Sequence, residues 1–506
     1  MGIEGLSRKK RRNWLLSFFL TWILMVSLQA TDYRLQAKLD TETKIITGSA
    51  IITWTNRASV PVEDLRFHLY YNAWRDAKSS FLTSNRVVLP DFSDWKDDEW
   101  AYIEVDSLST SMSGSSESGS GETSESFDLM GDCEFIQPND GNPNDRTVLR
   151  VVLPRLAQPE ETLVIELDFR TKVPRPFART GYRGDYYFLA HWFPKLGVIE
   201  SDGDWNCHQF IQTEFFADFG TYDVSLTIPE GWVVGATGRL VEKIDNSDGT
   251  ATHTFHQEKV HAFTWTTCPS FIEHKKLFEH DSLPSVDMRL LLMPDHAGQA
   301  KRYFRATEAA LRLYGEWFGA YPYGHVTVVD PAYQSKSGGM EYPTLFTGGS
   351  RWLSPEGSGS PEGVTVHECG HPFWFGLVAN NEFEHAWLDE GFDTYSTGRV
   401  MEKEFSPRYL VGRYLDGFIA VLFRDLEQAP RSLAGLGGYR SDLKLDIMSK
   451  PSWQYGPAAG SRTSGSGKRI YSGGAYGVNS YTKPAMMLLT LERYLGWDTF
   501  QRVMST

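Results

Sequence analysis

The chain has 506 residues, 41% of them hydrophobic and 14% aromatic, which excludes a disordered protein and supplies enough apolar side chains for more than one core. Its formal net charge of -14 argues against nucleic acid as a partner, because the phosphate backbone would be repelled.

At the N-terminus a basic cluster, Arg8 to Arg12, precedes an almost wholly apolar run from Trp14 to Leu28. That is the layout of a signal peptide over residues 1–30, with cleavage expected after Ala30. Export to a periplasmic or extracellular space follows. The run of about 15 residues is short for a spanning helix, which needs ~20, so membrane attachment is expected only if this segment stays uncleaved.

Residues 31–279 read as a β-rich domain. Leu35, Ala37 and Leu39 alternate with polar neighbours, as do Ala50, Ile52 and Trp54, then Leu65, Phe67 and Leu69, then Val224, Leu226 and Ile228. Period-two alternation marks strands with one buried face. Asn246-Ser247-Asp248-Gly249 lies between two such runs and predicts a hairpin. Within this domain the Ser/Gly/Glu-rich tract 107–127 has the composition of a disordered surface insertion. Cys133, Cys207, Cys268 and Cys369 show no C-x-x-C pairing, so a cysteine-built metal site is not expected.

From residue 280 the pattern changes. Tyr303, Ala306, Ala310, Leu313 and Trp317 recur at helical spacing. His325 to Val329 reads as a strand, and Gly338-Gly339-Met340-Glu341-Tyr342 follows it. A Gly/Ser/Pro-rich loop leads into Val366-His367-Glu368-Cys369-Gly370-His371. On a helix, positions i and i+4 share a face, so both imidazoles reach one metal ion while Glu368 sits beside it as a general base. Eighteen residues separate His371 from Glu390, which lies in Trp387-Leu388-Asp389-Glu390-Gly391-Phe392. A second helix returning alongside the first would make Glu390 the third ligand, and a His2Glu set leaves a coordination position open for catalysis. Pro372 lacks an N–H and clashes with the carbonyl of Glu368, so the metal-site helix is expected to kink there.

These motifs, with Tyr481-Thr482-Lys483-Pro484 downstream, resemble the aminopeptidase N family of gluzincin zinc peptidases. The resemblance implies an α+β multidomain protein: an N-terminal antiparallel, saddle-like β-sheet domain, then a mainly helical thermolysin-like catalytic domain over 280–506, incomplete at its C-terminal end. It implies one Zn2+ per chain on His367, His371 and Glu390, with Glu368 and Tyr481 catalytic. Tyr481 would donate its hydroxyl to the oxyanion opposite the zinc. Gly338, Gly339, Met340 and Glu341 would form the substrate-binding exopeptidase motif, with Glu341 on the free α-ammonium group and Glu214 as a second amine contact. The implied substrates are peptides with a free N-terminus. Two alternatives stay open: a thermolysin-like endopeptidase, and a zinc-binding scaffold of the same fold that has lost turnover.

Overall fold

The computed structural model describes residues 31–84, 95–113, 124–175, 179–211, 214–415, 417, 419–428, 451–452, 462–463, 469–470 and 476–506; the expected signal peptide, residues 1–30, lies outside them. Among the described residues no helix is long and apolar enough to cross a membrane.

The first half is built on an eight-stranded sheet. Its strands run across the sheet in the order Arg239–Asp245, Thr250–Val260, Gly220–Pro229, Thr31–Asp40, Ile45–Thr55, Thr162–Lys172, Tyr102–Ser113, Ser124–Asp128. Every neighbour is antiparallel except Thr31–Asp40 against Gly220–Pro229, which is parallel. The alternation read from sequence is the alternation of faces: Leu35, Ile52, Trp54, Val224, Leu226 and Ile228 are all buried. Two four-stranded sheets cover this face, and aromatic rings such as Trp192, Trp265 and Tyr222 fill the space between the layers.

Two sequence expectations need correction here. The tract 107–127 is strand at both of its described ends. Ser107 to Ser113 completes a strand on Thr162–Lys172, and Ser124–Asp128 pairs back on it with Ser109 opposite Asp128. Leu108, Thr110 and Met112 point inward, a period-two pattern that the polar composition hides; residues 114–123 lie outside the described set. The domain boundary also shifts. Ile272–Phe278 pairs with Val286–Leu292, which runs parallel to His325–Asp330. That strand therefore belongs to the second sheet, and the join falls before residue 272 rather than at 279.

The second half is a four-stranded sheet covered by helices: α1 (Ala300–Phe318), α2 (Glu362–Glu368), α3 (His371–Val378), α4 (Glu382–His385), α5 (Trp387–Glu404), α6 (Lys483–Leu495) and α7 (Trp497–Met504). The inward face of α1 carries Tyr303, Ala306, Ala310, Leu313 and Trp317, packed with Leu290, Val326, Val366, Phe373 and Met401 in one core. α2, α3 and α5 are thereby fixed against the sheet, and the histidines and the third carboxylate sit on elements that packing holds rigid. All four cysteines are free thiols.

Candidate active site

The H-E-x-x-H segment is not one continuous helix. α2 ends at Glu368 and α3 begins at His371. Pro372 explains the break, since it offers no N–H to the Glu368 carbonyl. The chain bridges the gap with tighter three-residue bonds, Gly370 N to His367 O at 2.8 Å and Phe373 N to Gly370 O at 2.9 Å. The imidazoles nevertheless converge, with ring centroids 4.8 Å apart and planes at 84°.

α5 supplies three carboxylates from one helical face: Asp389, Glu390 and Asp393, all buried. Glu390 Oε2 lies 3.2 Å from His367 Nε2 and 3.8 Å from His371 Nε2. The two neighbouring acids take the other edges of the rings. Asp393 Oδ2 is 2.5 Å from His367 Nδ1, and Asp389 Oδ2 is 2.6 Å from His371 Nδ1. Bracing Nδ1 in this way orients each ring and presents Nε2 to a common point. His367, His371 and Asp393 also offer atoms within 4.8 Å of one another. Asp393 is engaged on the Nδ1 edge of His367, whereas Glu390 is the carboxylate that faces both Nε2 atoms. Two Nε2 atoms and a carboxylate oxygen are a donor set that suits zinc. Burial alone would lower both imidazoles, but Asp393 beside His367 and Asp389 beside His371 override it and raise them. The site thus favours positive charge at the point where the three ligands meet.

Glu368 is buried, and its Oε2 has no hydrogen-bond partner. Burial pushes its carboxyl up to about 7, against the pull of the two histidines. A base near neutrality, with an unpartnered oxygen beside the ligands, matches proton transfer to and from water. Glu341, Glu368 and His371 bring atoms within 4.8 Å of one another. Glu341 is pushed well above the usual carboxylate range by burial, with Glu214, Glu368 and Glu390 adding to the effect. The Gly338-Gly339-Met340 segment holds it there. Gly339 N donates to Thr347 O at 3.0 Å, Thr347 N donates to Met340 O at 2.9 Å, and Met340 is buried in the core. A β-carbon on Gly339 would stand 3.5 Å from Glu368 Oε1, so this backbone passes directly beside the base.

Tyr481 sits on a π-helical turn, Gly477–Thr482, that feeds α6. Such turns re-aim a side chain within a helix. The Tyr481 hydroxyl donates to Glu390 Oε1, and its ring lies 6.2 Å from that of His367. Pro484 occupies the first turn of α6, where its missing N–H costs nothing.

Glu214 reaches the site from the β-domain, but its charge is already balanced. Arg179 donates to it twice, at 2.5 and 2.9 Å, and the Tyr476 hydroxyl donates at 3.0 Å. His367, Glu368, His371, Glu390, Tyr481, Glu341 and Glu214 thus gather in one place with Gly339 beside Glu368, while Gly338 and Met340 belong to the backbone segment that carries Glu341. The reading missed Asp389, Asp393, Arg179, Tyr476 and Glu382, which hydrogen-bonds Asp389. The D-E-x-x-D spacing on one helix face is a signal that would have found the two braces. Arg179 carries no local signal.

This fold, and a site that sets two histidines against a carboxylate, are what a zinc metallopeptidase would need. Residues 303–434 match the model of the Peptidase family M1 domain. Solved structures share the fold over most of the chain. A two-domain M1 zinc metallopeptidase, a glutamate-to-alanine variant bound to L-tryptophan, is 15% identical with a TM-score of 0.56, over 94% of this chain and 86% of that one. The M1 zinc metallopeptidase from Deinococcus radiodurans has a TM-score of 0.54 at 15% identity, over 94% and 85%. A variant of it bound to a Tyr-Ser-Ala substrate is 16% identical at the same TM-score, over 94% and 86%.

Proposed function

We propose that this chain is a zinc-dependent aminopeptidase that releases the N-terminal residue of peptides. The observation that carries this reading is Glu341 standing with Glu368 and His371 inside a 4.8 Å cluster. A carboxylate so close to the base binds the substrate's α-ammonium group by a charge-assisted contact and leaves room for one residue before the scissile bond. Glu214 faces the same space with its charge balanced by Arg179. The M1 structures bound to L-tryptophan and to Tyr-Ser-Ala support the same substrate class.

The residues divide the work as follows. His367, His371 and Glu390 would hold the zinc ion, which when bound polarises water and the scissile carbonyl. Glu368 takes a proton from the attacking water and returns it to the leaving amine. Tyr481 turns its hydroxyl from Glu390 to the developing oxyanion, a donor worth about 10²–10³-fold in rate. Asp389 and Asp393 keep both imidazoles in the orientation that presents Nε2. We propose also that residues 1–30 direct export, on the strength of the basic cluster and apolar run that follow one another there.

The test is a panel of aminoacyl-coumarin substrates, free and N-acetylated, with and without chelator, and with Glu368→Gln as control. Chelator-sensitive cleavage of the free-amine substrates alone, lost in the variant, is expected. Equal cleavage of acetylated substrates would move the assignment to an endopeptidase. A folded, zinc-loaded protein that cleaves none would move it to a scaffold.

A further inference from the structure

The β-domain wall of the cleft carries a cation that the reaction does not use. Arg179 is held by its backbone N–H on Lys336 O at 3.0 Å and by two bonds to Glu214. Its guanidinium lies over the Phe215 ring at 5.5 Å and within electrostatic reach of Glu341 and Tyr342. A guanidinium has five N–H groups. Two are spent on Glu214, and among the described residues no further acceptor takes the rest.

A second residue on the same wall also lacks a partner. His191 is 5% exposed, and neither of its ring nitrogens has a hydrogen-bond partner. It stacks on the same phenylalanine: its centroid is 3.5 Å from that of Phe215 and 5.9 Å from that of Tyr342. Tyr342 is the residue after Glu341. Buried polar atoms are ordinarily satisfied, so two unpartnered imidazole nitrogens near an incompletely used guanidinium are polar groups that an added acceptor would satisfy.

We infer that Arg179 and His191 form the subsite for the side chain of the substrate's first residue, and that this subsite selects a side chain ending in a carboxylate. The inference rests on the aminopeptidase reading, in which Glu341 takes the ammonium group. An N-terminal Glu or Asp presents an ammonium and a carboxylate a few bonds apart. The cleft presents their complements, Glu341 and Arg179, on neighbouring walls. The acidic side chain accepts from the N–H groups that Glu214 leaves over, and the Phe215 ring packs against its methylene carbons. Glu214 keeps Arg179 in place when the site is empty and spares it the cost of standing as an unpaired buried charge. A side chain without an acceptor would leave those N–H groups and the His191 nitrogens unsatisfied, which is how a polar pocket rejects an isostere lacking the group.

The experiment uses zinc-loaded Glu368→Gln protein, so that bound peptides survive, and calorimetric titration with Glu-Ala-Ala-amide, its isostere Gln-Ala-Ala-amide and Leu-Ala-Ala-amide. The Glu peptide is expected to bind at least ten-fold tighter than the Gln peptide, about 1.4 kcal/mol. Arg179→Met in that background should bring the ratio to near one, and Arg179→Lys should keep part of it. The ratio is internal to each variant, so a general loss of affinity does not disturb it. A ratio of one in the parent, tighter binding of the Leu peptide, or a ratio unmoved by Arg179→Met overturns the assignment. N-acetylated peptides form a separate arm: equal binding of acetylated and free forms would sink the amine-recognition reading, whereas the Glu-to-Gln ratio is read independently of it.

Discussion

Asp393 fills the space above Gly370 so closely that a β-carbon on Gly370 would stand 1.8 Å from its Oδ1. Gly370 has ordinary helical dihedrals, φ -83 and ψ -37, so alanine would suit the backbone and the collision is the whole effect. Something must move, and Asp393 is the brace on His367 Nδ1. Gly370→Ala should therefore weaken zinc binding about 10–100-fold, the usual result of losing an outer partner of a ligating histidine. Competition with a chromophoric chelator measures it. Unchanged zinc affinity would show that Asp393 does not orient His367.

A second close approach links the third ligand's helix to the tyrosine. A β-carbon on Gly391 would meet Pro484 Cγ at 2.4 Å and Cβ at 2.5 Å, with Ser480 O at 3.2 Å. Gly391 follows Glu390, and Ser480 precedes Tyr481, so this contact sets how near the tyrosine comes to the ligand. Gly391→Ala is expected to push the turn outward and to lower kcat about 10²-fold, as loss of an oxyanion donor would. Pro484→Gly should restore much of it in the double variant, because the colliding ring is gone. Contacting pairs show such non-additivity. Strictly additive effects would mean that the two residues do not share the space.

How much of this was legible in the sequence depends on the range of the interaction. His367, Glu368 and His371 are near neighbours in sequence whose imidazoles converge even across the helix break, and Glu390 comes back to them on a second helix, so short-range geometry brings these four together. Asp389 and Asp393 stood in plain view, but their role depends on which ring edge they face, and spacing does not specify that. Arg179 meets Glu214 across 35 positions and shares it with Tyr476, 262 positions away; only the fold makes that cluster. Ser107 to Ser113 was misread because serine content outweighed the alternation of Leu108, Thr110 and Met112. Ile272–Phe278 looks like every earlier strand, and which sheet it joins is a property of topology. Pro372 was legible in full: the residue that cannot donate to Glu368 is where the helix divides.

Lys195 should make stability depend on pH. It is 1% exposed, and burial lowers its ammonium to about 7, with Asp218 and Glu382 pulling the other way. Above about 7 the folded state has released this proton, whereas the unfolded chain holds it to about 10.4. The unfolded state then binds more protons, so stability rises with pH from about 7 to 10 and is lost as pH falls back through that window. The slope from one group is at most about 1.4 kcal/mol per pH unit. Asp218, raised to about 6 by burial, titrates below this range. Urea unfolding of the zinc-saturated protein should show the rise, and Lys195→Met should remove it. Parallel profiles for the two proteins would show that Lys195 stays charged in the fold.

Zinc removal should destabilise the protein as well as silence it. Glu341, Glu368, Glu382, Asp389, Glu390 and Asp393 crowd around His367 and His371, and several buried oxygens, Glu368 Oε2 and Glu382 Oε1 among them, have no partner. Part of this charge is relieved only by protonation, as the raised Glu341 and Glu382 indicate. A dication bound by the folded state alone relieves it directly, and at 1,000 times its Kd it would add about 4.1 kcal/mol. Chelated protein should therefore melt several degrees lower than zinc-loaded protein. The gap should narrow at acid pH, where protons take over the work of the metal. His371→Ala should show no zinc-dependent shift at any pH. Equal melting of chelated and loaded protein would mean that the ligands are held by the fold without help from the ion.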